Sequence, residues 1–221
     1  MVEEDTRLAR SYERSSTLED IVDRSAIRDL LENWVVLRDA GDWDRFSDLW
    51  HPDGRMNATW FSATAPEFIA GCRRMFDASV IGLHALGGSS IEIVGQRAVA
   101  QTKMQILQRG KLDGVDVDVT CHGRFMDALE VLDGRWRLLL RQPVYEIDRI
   151  DTVRPDARLE LDDEILNGFP IGYRHLAYLQ TKMGFDVSRD LPGTRGPEIA
   201  ALDERLQRWL SHGDRGHLFA S

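Results

Sequence analysis

The sequence predicts an α+β fold in which a curved antiparallel or mixed sheet packs against N-terminal helices. Three observations carry that prediction. Residues 18–37 repeat apolar side chains at helical spacing. Residues 82–148 alternate apolar and polar, are rich in Val and Ile, and are punctuated by the hairpin signals "VGQ", "KLDG" and "LDGR". The helical segments precede the long strands instead of alternating with them, as in α+β rather than βαβ architectures.

Residues 1–16 are polar and read as a loose arm. Ser16 or Thr17 caps the first helix, with Glu19 in its first turn and Ile21, Val22, Ile27, Leu30, Leu31, Trp34 and Val35 on its apolar face. Gly41 lies just past its end. A second helix follows from the cap Asp42 to Trp50, with Asp44 in its first turn. "HPDG" reads as a turn and "RMNATWF" as a short strand. Pro66 opens a third helix with Phe68, Ile69, Cys72 and Phe76 on one face. Four strands follow at about 82–94, 96–110, 114–131 and 134–148, and their concave side makes a pocket.

Beyond residue 150 the pattern changes to a polar connection and two helices. The second of these has Pro197 at its start, Ile199, Leu202, Leu206 and Leu210 on one stripe, and Gly213 as its stop. Neither helix can fold alone, so both are expected to pack across the sheet or a neighbouring subunit, covering the pocket mouth. The organisation is therefore an arm (1–16), an α+β domain (17–150) and a helical extension (151–221).

Composition narrows the function. With 221 residues and 43% apolar content, the chain buries one substantial core. A net charge of −9 without any basic run argues against nucleic acid, whose phosphates need clustered Lys and Arg. No apolar run spans a bilayer and no secretory signal opens the chain, so a cytoplasmic location and no membrane partner are expected. Cys72 and Cys121 lack CxxC spacing, and Asp116, Asp118 and His122 read as a solvated strand stripe; no metal site is expected.

One residue resists the local account. In "VLRDAGDWDRFSDLW", Asp42 and Asp44 suit a helix start, where free N–H groups and the positive dipole end favour acids. Asp39 lies in the last turn of the preceding helix, at the negative end, which costs about 0.3–1 kcal/mol without compensation.

"IRDLLENWVVLRDAGDWDRFSDLWHPDGRM", "DGRWRLLLRQP" and the order of segments resemble the SnoaL-like branch of the nuclear-transport-factor-2-like superfamily, a cone-shaped α+β fold. Within it, the pattern is most similar to the scytalone dehydratases. Asp39 precedes "DWD", His84 stands in "LHALGG", and His122 lies fourteen residues before Trp136. In the related hexachlorocyclohexane dehydrochlorinases the first Asp and first His form the catalytic pair. The resemblance thus implies that Asp39, His84 and His122 converge inside the cone as catalytic groups of a lyase without metal or organic cofactor. It also implies a small, aromatic or polycyclic substrate and a homotrimer, with a dimer as the alternative.

The residue types suit that chemistry. A carboxylate on one imidazole nitrogen fixes the tautomer and raises the basicity of the other, so the pair can take a proton next to a leaving group. The dehydratases' two substrate-polarising tyrosines are missing: Arg38 occupies one place and Ala58 falls near the other, beside Asn57, Thr59 and Trp60. Arg38 and Tyr145 are the candidate substitutes, and Trp34 and Trp60 are candidates for an aromatic pocket wall. His51 and His175 read as turn and helix-surface residues.

Three other readings arise, and a missing acid argues against the first. The short-strand acid of ketosteroid isomerases is absent from "GRMNATWF". A polyketide-cyclase-type enzyme would use a late-strand acid, for which Glu146 and Asp148 are available. A dioxygenase small subunit or a ligand-binding protein of this fold would not need Asp39 to meet His84.

Overall fold

The computed structural model describes residues 17–219; the expected arm at 1–16 lies outside the described residues. Helix α1 runs Leu18–Ala40. Thr17 closes a capping box with Asp20: the Asp20 N–H donates to Thr17 Oγ1 at 3.1 Å and the Thr17 N–H to Asp20 Oδ2 at 2.9 Å. Ile27, Leu30, Leu31, Trp34, Val35 and Leu37 form its buried face. Ile21 and Val22, expected on that face, are exposed; the buried stripe begins at Ile27. Gly41 ends the helix in the left-handed region at φ 71°.

Helix α2 (Trp43–Ser47) starts from the cap Asp42 and is shorter than expected. The "HPDG" turn is instead part of strand β1 (Trp50–Ala58), where the register against its neighbour shifts between Trp50 and Arg55. Turn-prone residues here make an irregularity inside a strand, not a reversal. Strand β2 (Phe61–Thr64) and helix α3 (Ala65–Asp77) follow. The long strands are β3 (Gly82–Val94), β4 (Arg97–Leu112), β5 (Val115–Leu132) and β6 (Arg135–Thr152). The sheet order is β2-β1-β6-β5-β4-β3, and β1 runs parallel to β6 while every other pair is antiparallel.

Register shifts bend this sheet into its cone. One lies between His122 and Gly123 on β5, where β6 skips Glu146 and pairs Tyr145 with Gly123. The strands come so close there that a Cβ on Gly123 would sit 2.2 Å from the Val144 carbonyl oxygen. Only glycine fits that approach.

The C-terminal helices divide between the two faces of the sheet. Helix α4 (Asp163–Asn167) and helix α5 (Arg174–Lys182) join α1 to α3 on the concave face, where Leu176, Ala177 and Leu179 enter the main core. Helix α6 (Pro197–His212) crosses the outer face, burying Leu202, Leu206, Trp209 and Leu210 against Val99, Met126, Ala128, Leu139, Leu140 and Val144. Helix α7 (Arg215–Leu218) adds Leu218 to that second core. Part of the sheet face available for self-association is thus taken up by the chain's own extension. Among the described residues, no helix is long and apolar enough to cross a membrane.

Gly41 ties fold to cavity. A Cβ there would meet the Phe76 ring at 2.8 Å, in a backbone conformation that costs L-residues roughly 1–2 kcal/mol. Gly41→Ala is expected to lower unfolding free energy by at least about 1 kcal/mol in urea titration and to displace Phe76; an unchanged transition midpoint would contradict the cap assignment.

Candidate functional site

Helices α1, α3 and α5 and the concave face of the sheet enclose a cavity of about 520 Å³. Its wall is rich in aromatic side chains. Trp34 stacks on Phe68 with centroids 6.1 Å apart, Trp60 packs against Phe68 and Phe185, and Phe125 lies 5.5 Å from Trp34. Trp34, Trp60, Arg38 and Tyr145, the four expected wall residues, all line it.

Asp39 and His84 meet at this cavity. His84 Nδ1 lies 2.9 Å from Asp39 Oδ1, and the His84 backbone N–H donates to Asp39 Oδ2 at 2.6 Å. The last turn of α1 thus holds the start of β3 through both oxygens of one carboxylate. Arg38 Nη1 donates to the same Asp39 Oδ1 at 2.9 Å and to the Gly82 carbonyl at 2.7 Å. These contacts supply the compensation that the acid lacks in its own helix.

The electrostatics assign the proton. Burial pushes the Asp39 carboxyl up, but the His84 hydrogen bond, the charge that His84 carries once protonated in the acid range where Asp39 titrates, and the Arg38 charge outweigh it and hold it below the ordinary value. Asp39 is therefore an ionised acceptor, so Nδ1 carries the hydrogen and Nε2 keeps its lone pair. Burial, helped by Arg38, pushes His84 below its usual 6.5 despite the pull of Asp39. His84 is neutral at pH 7. The Trp34 ring stands edge-on to it, with centroids 5.7 Å apart.

Behind the wall lies a pair not anticipated from sequence. Arg141 and Asp127 face each other across β6 and β5, both side chains fully buried, with two nitrogen–oxygen contacts of 2.8 Å. The guanidinium sits 4.4 Å from the Trp34 ring centroid and 4.3 Å from that of Phe125. The signal was a single charge inside each of the apolar runs "FMDAL" and "LLLRQP".

His122 does not join the dyad. The expected convergence fails because the irregularity beside it falls on β6, so β5 keeps strict alternation. Val117, Val119 and Cys121 point inward, while Asp118 and His122 stay on the outer face, His122 exposed. Asp118 pairs there with Arg109 at 2.7 Å and Asp116 with Lys111 at 3.3 Å. The late-strand acids also lie away from the cavity. Glu146 pairs with Arg124 at 2.9 Å, and Asp148 accepts from the N–H groups of His175 and Leu176 at the start of α5. His175 itself, expected on a helix surface, turns its Nδ1 to Asp148 at 2.8 Å.

The cavity also holds Thr59, named from the sequence beside Ala58, and residues missed at the sequence level: Gln108, Leu176, Gln180 and Phe185. Three of them come from α5 and the segment after it, where no motif marked them.

Known proteins place this geometry. The chain is 35% identical over 178 residues to pea pathogenicity protein 2 of Fusarium vanettenii, covering 79% of this chain and 76% of that protein. Among solved structures, hexachlorocyclohexane dehydrochlorinase (type 2) superposes with a TM-score of 0.53 at 15% identity, covering 66% of this chain and 98% of the other. A candidate scytalone dehydratase of Novosphingobium aromaticivorans gives a TM-score of 0.51 at 17% identity, covering 64% and 97%. At those identities the likeness is one of fold. Residues 19–142 match the SnoaL-like domain, and the chain belongs to that family.

Proposed function

We propose that this protein is a cofactor-independent lyase that removes a carbon-bound proton from a small, apolar ring compound and eliminates a leaving group. The observation that carries the reading is the 2.9 Å contact between Asp39 and His84 at the edge of an aromatic cavity. The family's relation to dehydratases and dehydrochlorinases by fold supports it.

His84 Nε2 takes the proton while the C–H electron pair forms the new double bond and the leaving group departs with its own pair. Asp39 balances the imidazolium that forms. With His122 on the outer face, His84 is the one histidine that lines the cavity among the described residues. A halide needs no proton to leave. A departing hydroxyl receives the proton from His84 itself if it leaves from the same face, which regenerates the neutral base. Dehydration and dehydrohalogenation fit this single base; in deformylating C–C cleavage the same base would instead deprotonate a water that adds to the formyl carbon, formic acid would leave, and the ring carbanion would take the proton back from the imidazolium. Tyr145, whose phenol burial pushes far above its ordinary pKa, stays protonated and can donate to a substrate oxygen. A homo-oligomer, if formed, uses surface that α6 leaves free.

The pH profile tests the base assignment. Activity should rise with pH along one acid limb whose midpoint lies below 6.5, as neutral His84 accumulates. Asp39→Asn removes the influence that raises the His84 pKa, so its limb moves to lower pH. Arg38→Gln removes a charge that lowers it, so its limb moves up. A limb that stays put in both variants would mean that another group titrates. Stability follows the same sign: a histidine with a depressed folded pKa loses stability as pH falls below the unfolded value near 6.5.

A further inference from the structure

The cavity wall beyond the dyad carries a chain of neutral polar groups. Thr59 Oγ1 donates to Gln180 Oε1 at 2.6 Å, and Gln180 Nε2 donates to Gln108 Oε1 at 3.0 Å. Gln108 Nε2 lies 3.4 Å from Met183 Sδ, and Tyr145 adjoins Thr59. Thr59, Gln108, Gln180 and Tyr145 are 2%, 7%, 4% and 2% exposed. Polar side chains enclosed to this degree normally have their hydrogen-bonding capacity met.

Here the capacity is met unevenly. The Thr59 hydroxyl fixes which way the Gln180 amide faces, and Gln180 fixes Gln108. Both amide oxygens are engaged. Each amide nitrogen carries two hydrogens, of which Gln180 commits one, and Gln108 commits one only to a thioether, a weak acceptor. Among the described residues, one N–H on each amide has no protein acceptor. The wall is a surplus of neutral donors facing an apolar cavity.

We infer that this wall binds a carbonyl oxygen on a neutral ring substrate, with Gln108 and Gln180 as the specificity-determining donors. The inference deepens the lyase reading and rests on it only in taking the cavity to be a substrate site. The register sets the scale. His84 pairs with Ile106 and Gly82 with Gln108, so Gln108 lies two residues along β4 from the dyad's cross-strand neighbour, on the same face. At ~3.3 Å per residue that is roughly 7 Å, about the length of one or two fused rings. Among the described residues Arg38 is the one Lys or Arg that lines the cavity, and Asp39 balances its charge, so a carboxylate would bring a charge with no free partner among them. Gln180 stands outside residues 19–142, so the helical extension, not the shared domain, supplies half of this recognition.

The test uses 1-tetralone and tetralin, one bicyclic frame with and without a carbonyl, titrated into the full chain by calorimetry or tryptophan fluorescence. Wild type is expected to bind tetralone about tenfold more tightly than tetralin. Gln180→Met and Gln108→Met should each reduce that preference to about twofold or less while keeping tetralin affinity. Should the helix variant fail to fold, Gln108→Met on the strand decides alone. His84→Ala should keep the full preference, which separates failure of the recognition claim from failure of the catalytic one. Equal affinity for the two probes, no saturable tetralone binding, or a preference that survives the glutamine substitutions would overturn the inference.

Discussion

His84→Ala is expected to lower turnover about 10²–10⁴-fold, the usual contribution of a positioned acid–base group. The assay is a screen of hydroxylated and halogenated ring compounds, followed by kinetics on the compound that wild type converts. The substitution should spare the fold, because Asp39 keeps its Arg38 partner and its bond to the backbone N–H at residue 84. Circular dichroism and ligand affinity should therefore stay close to wild type while kcat collapses. Asp39→Asn should cost less than His84→Ala, since the imidazole remains but loses its tautomer lock and its countercharge. A His84→Ala protein with wild-type kcat on a confirmed substrate would show that the cavity binds without using this base.

Arg141→Met is expected to destabilise the fold by about 3–5 kcal/mol, since it leaves the Asp127 carboxylate buried without its partner. Burial already pushes Asp127 above the ordinary carboxyl value even with Arg141 beside it. The double variant Asp127→Leu/Arg141→Met should recover much of the loss, because a well-packed apolar pair removes the desolvation cost altogether. Urea unfolding of the two variants reads this directly. The same pair bears on the site, because the guanidinium packs against both the Trp34 and Phe125 rings that line the cavity. Even a stable double variant should lose part of its ligand affinity as those rings relax. A single variant as stable as wild type would show that the pair contributes nothing to holding the wall.

Local rules were enough to read most of the elements. Helical periodicity and capping chemistry marked α1 from Thr17 to Gly41, and alternation with hairpin turns marked β3 to β6. The misreadings came where tertiary pairing overrode local signals. "HPDG" has turn residues, yet β6 recruits it into a strand. The Asp39–His84 contact was legible through the family resemblance, which named His84 as the partner; the cost of Asp39 in its own helix marked the acid as unusual but pointed to no partner. His122 was misjudged because a motif spacing says nothing about which face of a strand a residue occupies; the strand's own alternation did say so, and it prevailed. Gln108, Gln180 and Phe185 carried no sequence signal, since nothing local reveals that α5 folds onto the concave face while α6 crosses the other.

The most direct test of the dyad needs no substrate. In ¹⁵N-histidine-labelled protein at pH 7, the His84 ring should appear as the neutral Nδ1–H tautomer, its Nδ1 proton shifted downfield by the bond to Asp39. Asp39→Asn should remove that shift. A His84 ring that is protonated at pH 7, or neutral with its hydrogen on Nε2, would contradict the account, because the nitrogen facing the cavity would then have no lone pair with which to take a proton.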